Sequence, residues 1–229
     1  EKEVIVMAQD LTRGNPFSVI LKFSLPVIGG NLFQLFYTLA DTVIVGRTLG
    51  ADALAAVGST TALINMFTNL FIGISLGANV LSARFYAAGK DKEMSETVHT
   101  AITLALISGI IMVFVGLIFA KPVLELMDTP DDVINLSTLY MRIYFMGMPF
   151  FMLYNYGAAV LRAVGDTRRP LVFLVISGAV NAILNMVLVI LFHLDVEGVA
   201  IATVISQMIS CVLVLRCLCK TDACYQLHF

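Results

Sequence analysis

A bundle of six transmembrane helices is the fold this sequence predicts, and three observations predict it. The chain of 229 residues is 59% hydrophobic and 13% charged, with a mean hydropathy of +0.92. A soluble domain is nearer roughly half apolar and a quarter charged. The apolar residues gather into six stretches of about 20 residues or more, the length a helix needs to cross a bilayer; barrel strands are shorter, about 9–11 residues, and alternate. The basic residues between the stretches fall unevenly on the two sides that six crossings define.

Each stretch can be justified in turn. The first, residues 17–46, opens after a polar tail (residues 1–15) and carries Pro26, Gly29 and Gly30, a candidate hinge. The second, 51–81, is rich in Gly, Ser and Thr; the third, 97–120, contains the uncharged run AITLALISGIIMVFVGLIFA. The fourth covers 133–164, the fifth 169–192 and the sixth 197–218, so that residues 16–220 form one six-helix unit. Turn and charge signals fill the connectors, as in GRTLGAD, AAGKDKE and VGDTRRP. The polar start is not a signal peptide. The chain does not begin with Met, so either Met7 is the start or an upstream piece has been trimmed.

Orientation follows from Lys and Arg. Lys2, Arg13, Lys22, Arg84, Lys90, Lys92, Arg162, Arg168, Arg169, Arg216 and Lys220 share the side of both termini, whereas Arg47, Lys121 and Arg142 lie on the other. The positive-inside rule makes the first side cytoplasmic and predicts a multi-pass protein of the plasma (inner) membrane. The outer side carries Asp52, Glu125, Asp128, Asp131, Asp132, Asp195 and Glu197. This acidic mouth either favours cations or is simply tolerated.

Asp41 stands out within FYTLADTVIV, an otherwise apolar run. A carboxylate there costs about 2.5–3.5 kcal/mol on insertion scales. The other 15 acids sit in tails, loops or span ends. Asn31, Gln34, Thr38 and Asp41 are spaced 3, 4, 3 and share one helix face, with Tyr37 beside them. Such a stripe must face protein or water. Hydrogen-bonded glue between helices explains the neutral members, and an ionisable acid less well. Further stripes occur at Ser177, Asn181 and Asn185; at Thr203, Ser206, Gln207 and Ser210; at Tyr154, Asn155 and Tyr156; and at Asn65, Thr68 and Asn69. Neutral oxygens around one carboxylate suit a proton or a small monovalent cation better than a divalent ion. A carboxyl withdrawn from water can also take and release a proton. These are the physical requirements of an ion-coupled transporter.

Other classes fit less well. An intramembrane aspartyl protease needs two facing carboxylates, and no Gly-x-Ser-x-Gly elbow or phosphate-binding loop occurs. The reading is therefore not an enzyme. A channel would require a ring of charges or carbonyls, usually from an oligomer. Cys211, Cys217, Cys219, Cys224 and His228 cluster near the cytoplasmic end, but without a common zinc spacing; incidental reduced thiols are the expectation, and no metal beyond possible Na⁺ at Asp41.

At these residues the sequence resembles the multidrug and toxic compound extrusion (MATE) transporters. The matching pieces are PVIGGNLFQLFYTLADTVIVGRTLG, LGANVLSARFYAAGKDKE, YMRIYFMGMPFFMLYNYGAAVLRAVGDTRRP, VNAILN and EGVAIATVISQ, spread over nearly the whole chain, with LRAVGDTRRP the most specific. The resemblance implies two six-helix lobes, of which this chain supplies the N-terminal one, with residues 221–229 starting the connector to the other. A truncated sequence, or an isolated half that pairs with a second copy of itself, would account for that. It further implies export of small organic cations through the lipid bilayer against inward H⁺ or Na⁺, with no cofactor and no nucleic acid partner. By position, Asp41 matches the essential first-helix acid. Asn181 and Asn185 match an Asn-x-x-x-Asp pair of one prokaryotic branch, with Thr203 completing the coupling-ion site. Asn185 replaces the second acid and lowers the site's charge. Gln34, Tyr37 and Asn155, with Asn31 and Thr38, would line the neighbouring cavity. The alternatives are a lipid-linked sugar flippase of related fold, which would want a basic cavity, and a membrane assembly protein or inert fragment without transport activity.

Overall fold

The computed structural model describes residues 16–228; the polar tail of residues 1–15 lies outside the described residues. Seven α-helices follow in order: α1 Pro16–Thr48, α2 Ala51–Ala87, α3 Asp91–Leu126, α4 Ile134–Met146, α5 Met148–Ala163, α6 Arg168–Asn185 and α7 Val196–Cys219. A π-helical segment, Met186–Leu191, continues α6. The chain is all-α. Among the described residues α1, α2, α3, α6 with its π extension and α7 are each long and apolar enough to cross a membrane, and α4 with α5 make a sixth element in two pieces.

Two elements depart from a uniform helix. The stretch 133–164, expected as one span, is interrupted at Gly147, with Pro149 in the first turn of α5. Proline donates no N–H and fits a first turn, so the sequence GMP favours a break there. The fifth span ends in wide turns: the Phe192 N–H reaches the Val187 carbonyl at 3.1 Å, five residues back. Such turns are rare and occur often at functional sites. In α1, by contrast, the helix runs through Pro26, Gly29 and Gly30 without interruption.

The core lies where α3, α5, α4 and α7 meet α2. Tyr156, Phe145, Met94, Met112, Met141, Met148 and Met152 are fully buried there. Small residues let the helices close up: a Cβ on Gly109 of α3 would lie 2.4 Å from the Pro149 Cα, and one on Gly178 of α6 would lie 2.6 Å from the Phe33 ring. This close approach is typical of helix packing in membranes. The outer surface is apolar, with Phe17, Leu35, Phe36, Leu70, Phe114 and Leu126 exposed; a bilayer covers such side chains, and helices suit it because most of their backbone groups pair within the segment.

Short connectors make successive helices antiparallel, so the bundle has a basic and an acidic end. Contacts of Asn79 with Ala159, Arg169 with Cys217, and His99 with His228 gather the basic end. There the segment after α7 folds back: Tyr225 and Leu227 are buried, and Tyr225 packs edge-on to Tyr86.

Candidate functional site

Three helices bring their polar residues together in the half of the bundle towards the acidic end. The one-face spacing of Asn181 and Asn185 lets the Asn185 amide donate to the Asn181 carboxamide oxygen at 2.9 Å. The same Asn185 Nδ2 donates to Asp41 Oδ1 across the α1–α6 seam. Asn181 Nδ2 donates to Thr203 Oγ1 on α7 at 3.3 Å, and Thr203 Oγ1 donates to the Val199 carbonyl at 3.0 Å. The result is a continuous chain from Asp41 through Asn185 and Asn181 to Thr203. Asn181 and Asn185 are fully buried, Thr203 nearly so, and Asp41 is half-buried.

One atom is out of place in an otherwise paired set. Asn185 Oδ1 is buried and has no hydrogen-bond partner. An orphaned buried acceptor costs about 1–3 kcal/mol unless something completes it. Asn185 also closes α6 immediately before the π turns. Asp41, for its part, meets an amide and no cationic side chain among the described residues. The cluster thus presents several oxygens, one carboxylate and no balancing charge. That donor set fits a proton or one hard monovalent cation, held by Asp41 with Asn181, Asn185 and Thr203. Among the described residues no group of three His, Cys, Asp or Glu is placed to hold a metal ion.

The cavity residues are placed differently. Asn31, Gln34 and Thr38 lie on the exposed side of α1, and Thr38 Oγ1 donates to the Gln34 carbonyl at 3.0 Å within the helix. They share a face with Asp41 in the helix net, and among the described residues of that face it is Asp41 that reaches α6 by a hydrogen bond. Asn155 Nδ2 donates to the Phe151 carbonyl of its own helix at 2.8 Å and does not join the cluster. The Tyr37 side chain lies outside the described residues. Gly30 is buried beneath Leu171 and Leu174 of α6, whereas Gly29 has open space around it. Cys217 receives a hydrogen bond from Arg169 Nη1 at 3.5 Å, so a guanidinium is its neighbour.

Sequence reasoning missed Tyr144. Its side chain faces Gln207 of α7, with Asp41 within electrostatic reach, and Gln207 Oε1 is a second buried acceptor without a partner. A tyrosine in an apolar span is a common packing residue, so its spacing carried no signal; the bare Gly147 lets α7 close on this end of α4, since an added Cβ would lie 2.6 Å from Gln207 Oε1.

With the geometry in place, the chain can be set beside known proteins. The sequence model of the MatE family matches residues 26–187. The probable multidrug resistance protein YoeA of Bacillus subtilis is 36% identical over 190 residues, covering 81% of this chain and 41% of that protein. A FAD transporter of Shewanella oneidensis is 29% identical over 196 residues, 84% of this chain and 43% of that protein. A crystal structure of a MATE protein in the bent conformation superposes with a TM-score of 0.90 at 25% identity, over 97% of this chain and 50% of that one. The chain therefore spans about half the length of the relatives it matches.

Proposed function

The chain belongs to the MatE family, and from that premise we propose that it is the N-terminal lobe of an antiporter that exports organic cations by alternating access, driven by H⁺ or Na⁺. The observation that carries this reading is the Asn185 carboxamide, which bridges Asp41 and Asn181 and leaves its own oxygen unpartnered beside an unbalanced carboxylate. A proton or Na⁺ on Asp41 neutralises the α1 side of that bridge and changes what α1 gains by resting on α6. Because a ligand shifts a conformational balance only by its differential affinity, this contact is where ion binding would be converted into movement. Pro26, which withholds a hydrogen bond inside α1, makes that helix the easier of the two to bend. Asn31, Gln34 and Thr38, polar and exposed among apolar neighbours, suit the wall of a cavity completed by the second lobe or by a second copy of the chain. In this reading the basic end and both termini are cytoplasmic. A flippase for anionic lipid-linked sugars is less favoured, since the polar interior described above holds an acid and no cation.

The test is vesicle uptake by this chain joined to a second six-helix lobe, with imposed H⁺ or Na⁺ gradients. A fluorescent organic cation should accumulate against one of them. FAD serves as the comparison cargo, because one relative is named for it; gradient-driven movement of FAD alone would replace the organic-cation reading. For orientation, Lys90 lies in an exposed connector, so a cysteine there in a cysteine-free background should resist impermeant reagents from outside cells.

A further inference from the structure

A second site lies at the opposite end of the bundle, between α2 and α3. A cavity of about 450 Å³ opens there, within the range of about 300–1,000 Å³ that holds drug-sized molecules. Its walls are apolar, with Leu104 of α3 and Phe85 of α2 among them, and Gly77 leaves a gap in which an added Cβ would touch nothing within 4 Å. Glu93 and Glu96, at the start of α3, form the rim. Glu93 is shared with Lys90 at 3.3 Å; Glu96 has no ion-pair partner among the described residues. Tyr156 of α5 lines the floor, fully buried, and its hydroxyl has no hydrogen-bond partner. None of these groups touches the Asp41 cluster.

We propose that this groove binds a drug-sized lipophilic monocation that reaches it from the bilayer. Carboxylates at the rim select positive charge, and the half-buried Phe85 ring beside them suits a diffuse cation too large to be strongly hydrated, above the buried Tyr156 hydroxyl. Apolar walls below a charged rim match a molecule lying with its charge towards the membrane surface. Among the helices α3 packs against α2, α4 and α5 alone, and its remaining faces are apolar, so the groove has an open flank towards lipid. The volume holds one compact body and not a two-chain lipid. The role of the groove as a first stop for cargo rests on the transporter reading; the binding itself does not.

The experiment uses the chain in phosphatidylcholine nanodiscs, with tetraphenylphosphonium as probe and empty nanodiscs as blank. Gly77→Leu should fill the groove, and Glu93→Gln with Glu96→Gln should remove its charge; each should weaken binding about tenfold. Tetraphenylborate, the same shape with the opposite charge, should show no protein-dependent binding. Two variants of unlike kind guard against misfolding of either, and circular dichroism checks both. Equal binding of the borate, indifference to both variants, or loss of binding in Asp41→Asn would overturn the groove site. Failure here with gradient-driven, Asp41-dependent uptake intact would sink this inference and leave the transporter reading standing.

Discussion

Two aspartates sit inside the bundle at opposite ends, and their surroundings differ in one respect. Asp166, buried in the connector before α6, accepts the Arg169 backbone N–H at 3.1 Å and faces the same residue's Nε at 3.2 Å. Its charge is balanced and its lone pairs are used to start a helix, which is a capping arrangement. Asp41 accepts from the Asn185 amide and meets no cation. One carboxylate is paired with a cation; the other has an amide for its partner. The difference teaches what to ask of an acid inside a helical bundle: what neutralises it, since withdrawal from water and hydrogen bonding are common to both.

The largest effect is expected at the incomplete site. Asp41→Asn can still accept the Asn185 hydrogen bond but cannot carry charge, so coupled uptake in the two-lobe protein should vanish at every pH from 6 to 8 while the thermal unfolding profile stays near wild type. Full uptake at equal expression would erase the contrast between the two acids. The next effect falls on the complete site and should be the reverse in kind. Asp166→Ala removes the carboxylate that balances Arg169 and removes a cap, at a cost of about 2–3 kcal/mol in a detergent unfolding titration. A stable Asp166→Ala protein with lost coupling would mean that the roles had been assigned the wrong way round.

A third change sharpens the comparison by adding charge where charge is lacking. Asn185→Asp places a second carboxylate beside Asp41 and should lower the half-saturating Na⁺ concentration, or shift the pH optimum of uptake by an equivalent amount, about tenfold in apparent ion affinity. No change in either ion dependence would argue that the ion binds elsewhere. The smallest effect is expected beside Arg169. Cys217→Ser keeps a polar acceptor of smaller size for the guanidinium contact, so stability should move by less than about 1 kcal/mol, because the Asp166 pair carries the charge. A larger loss would make the thiol an essential part of that end.

Much of the candidate site was legible because helix periodicity is a local property. Asn181 and Asn185 are one turn apart in any α-helix, and Asp41 was conspicuous because nothing apolar explains a carboxylate in a span. The resemblance to a known family added Thr203, which residue spacing alone could not join to α1. The stripe on α1 was legible only as a direction: Asn31, Gln34 and Thr38 share a face with Asp41, yet they remain exposed, because α1 rests chiefly on α6 and touches it along one narrow seam. Tyr144 and Gln207 were not joined by any sequence signal. They meet where α7 approaches the bare backbone of Gly147 closely, a tertiary contact.

By itself the sequence determined what local chemistry determines: an all-helical membrane bundle, the boundaries that charge and Gly/Pro punctuation mark, and the one acid that had to be explained. Tertiary structure alone decided which acid is neutralised. Asp166 reaches its cation three residues along its own chain, a contact open to local inference. Asp41 depends on a residue 144 positions away; the resemblance set Asn185 near it, and the packing of α1 on α6 shows the contact itself and the amide oxygen left to spare. Solvent exclusion makes that distinction matter, because in a low-dielectric interior an unbalanced charge must be completed by an ion or a proton.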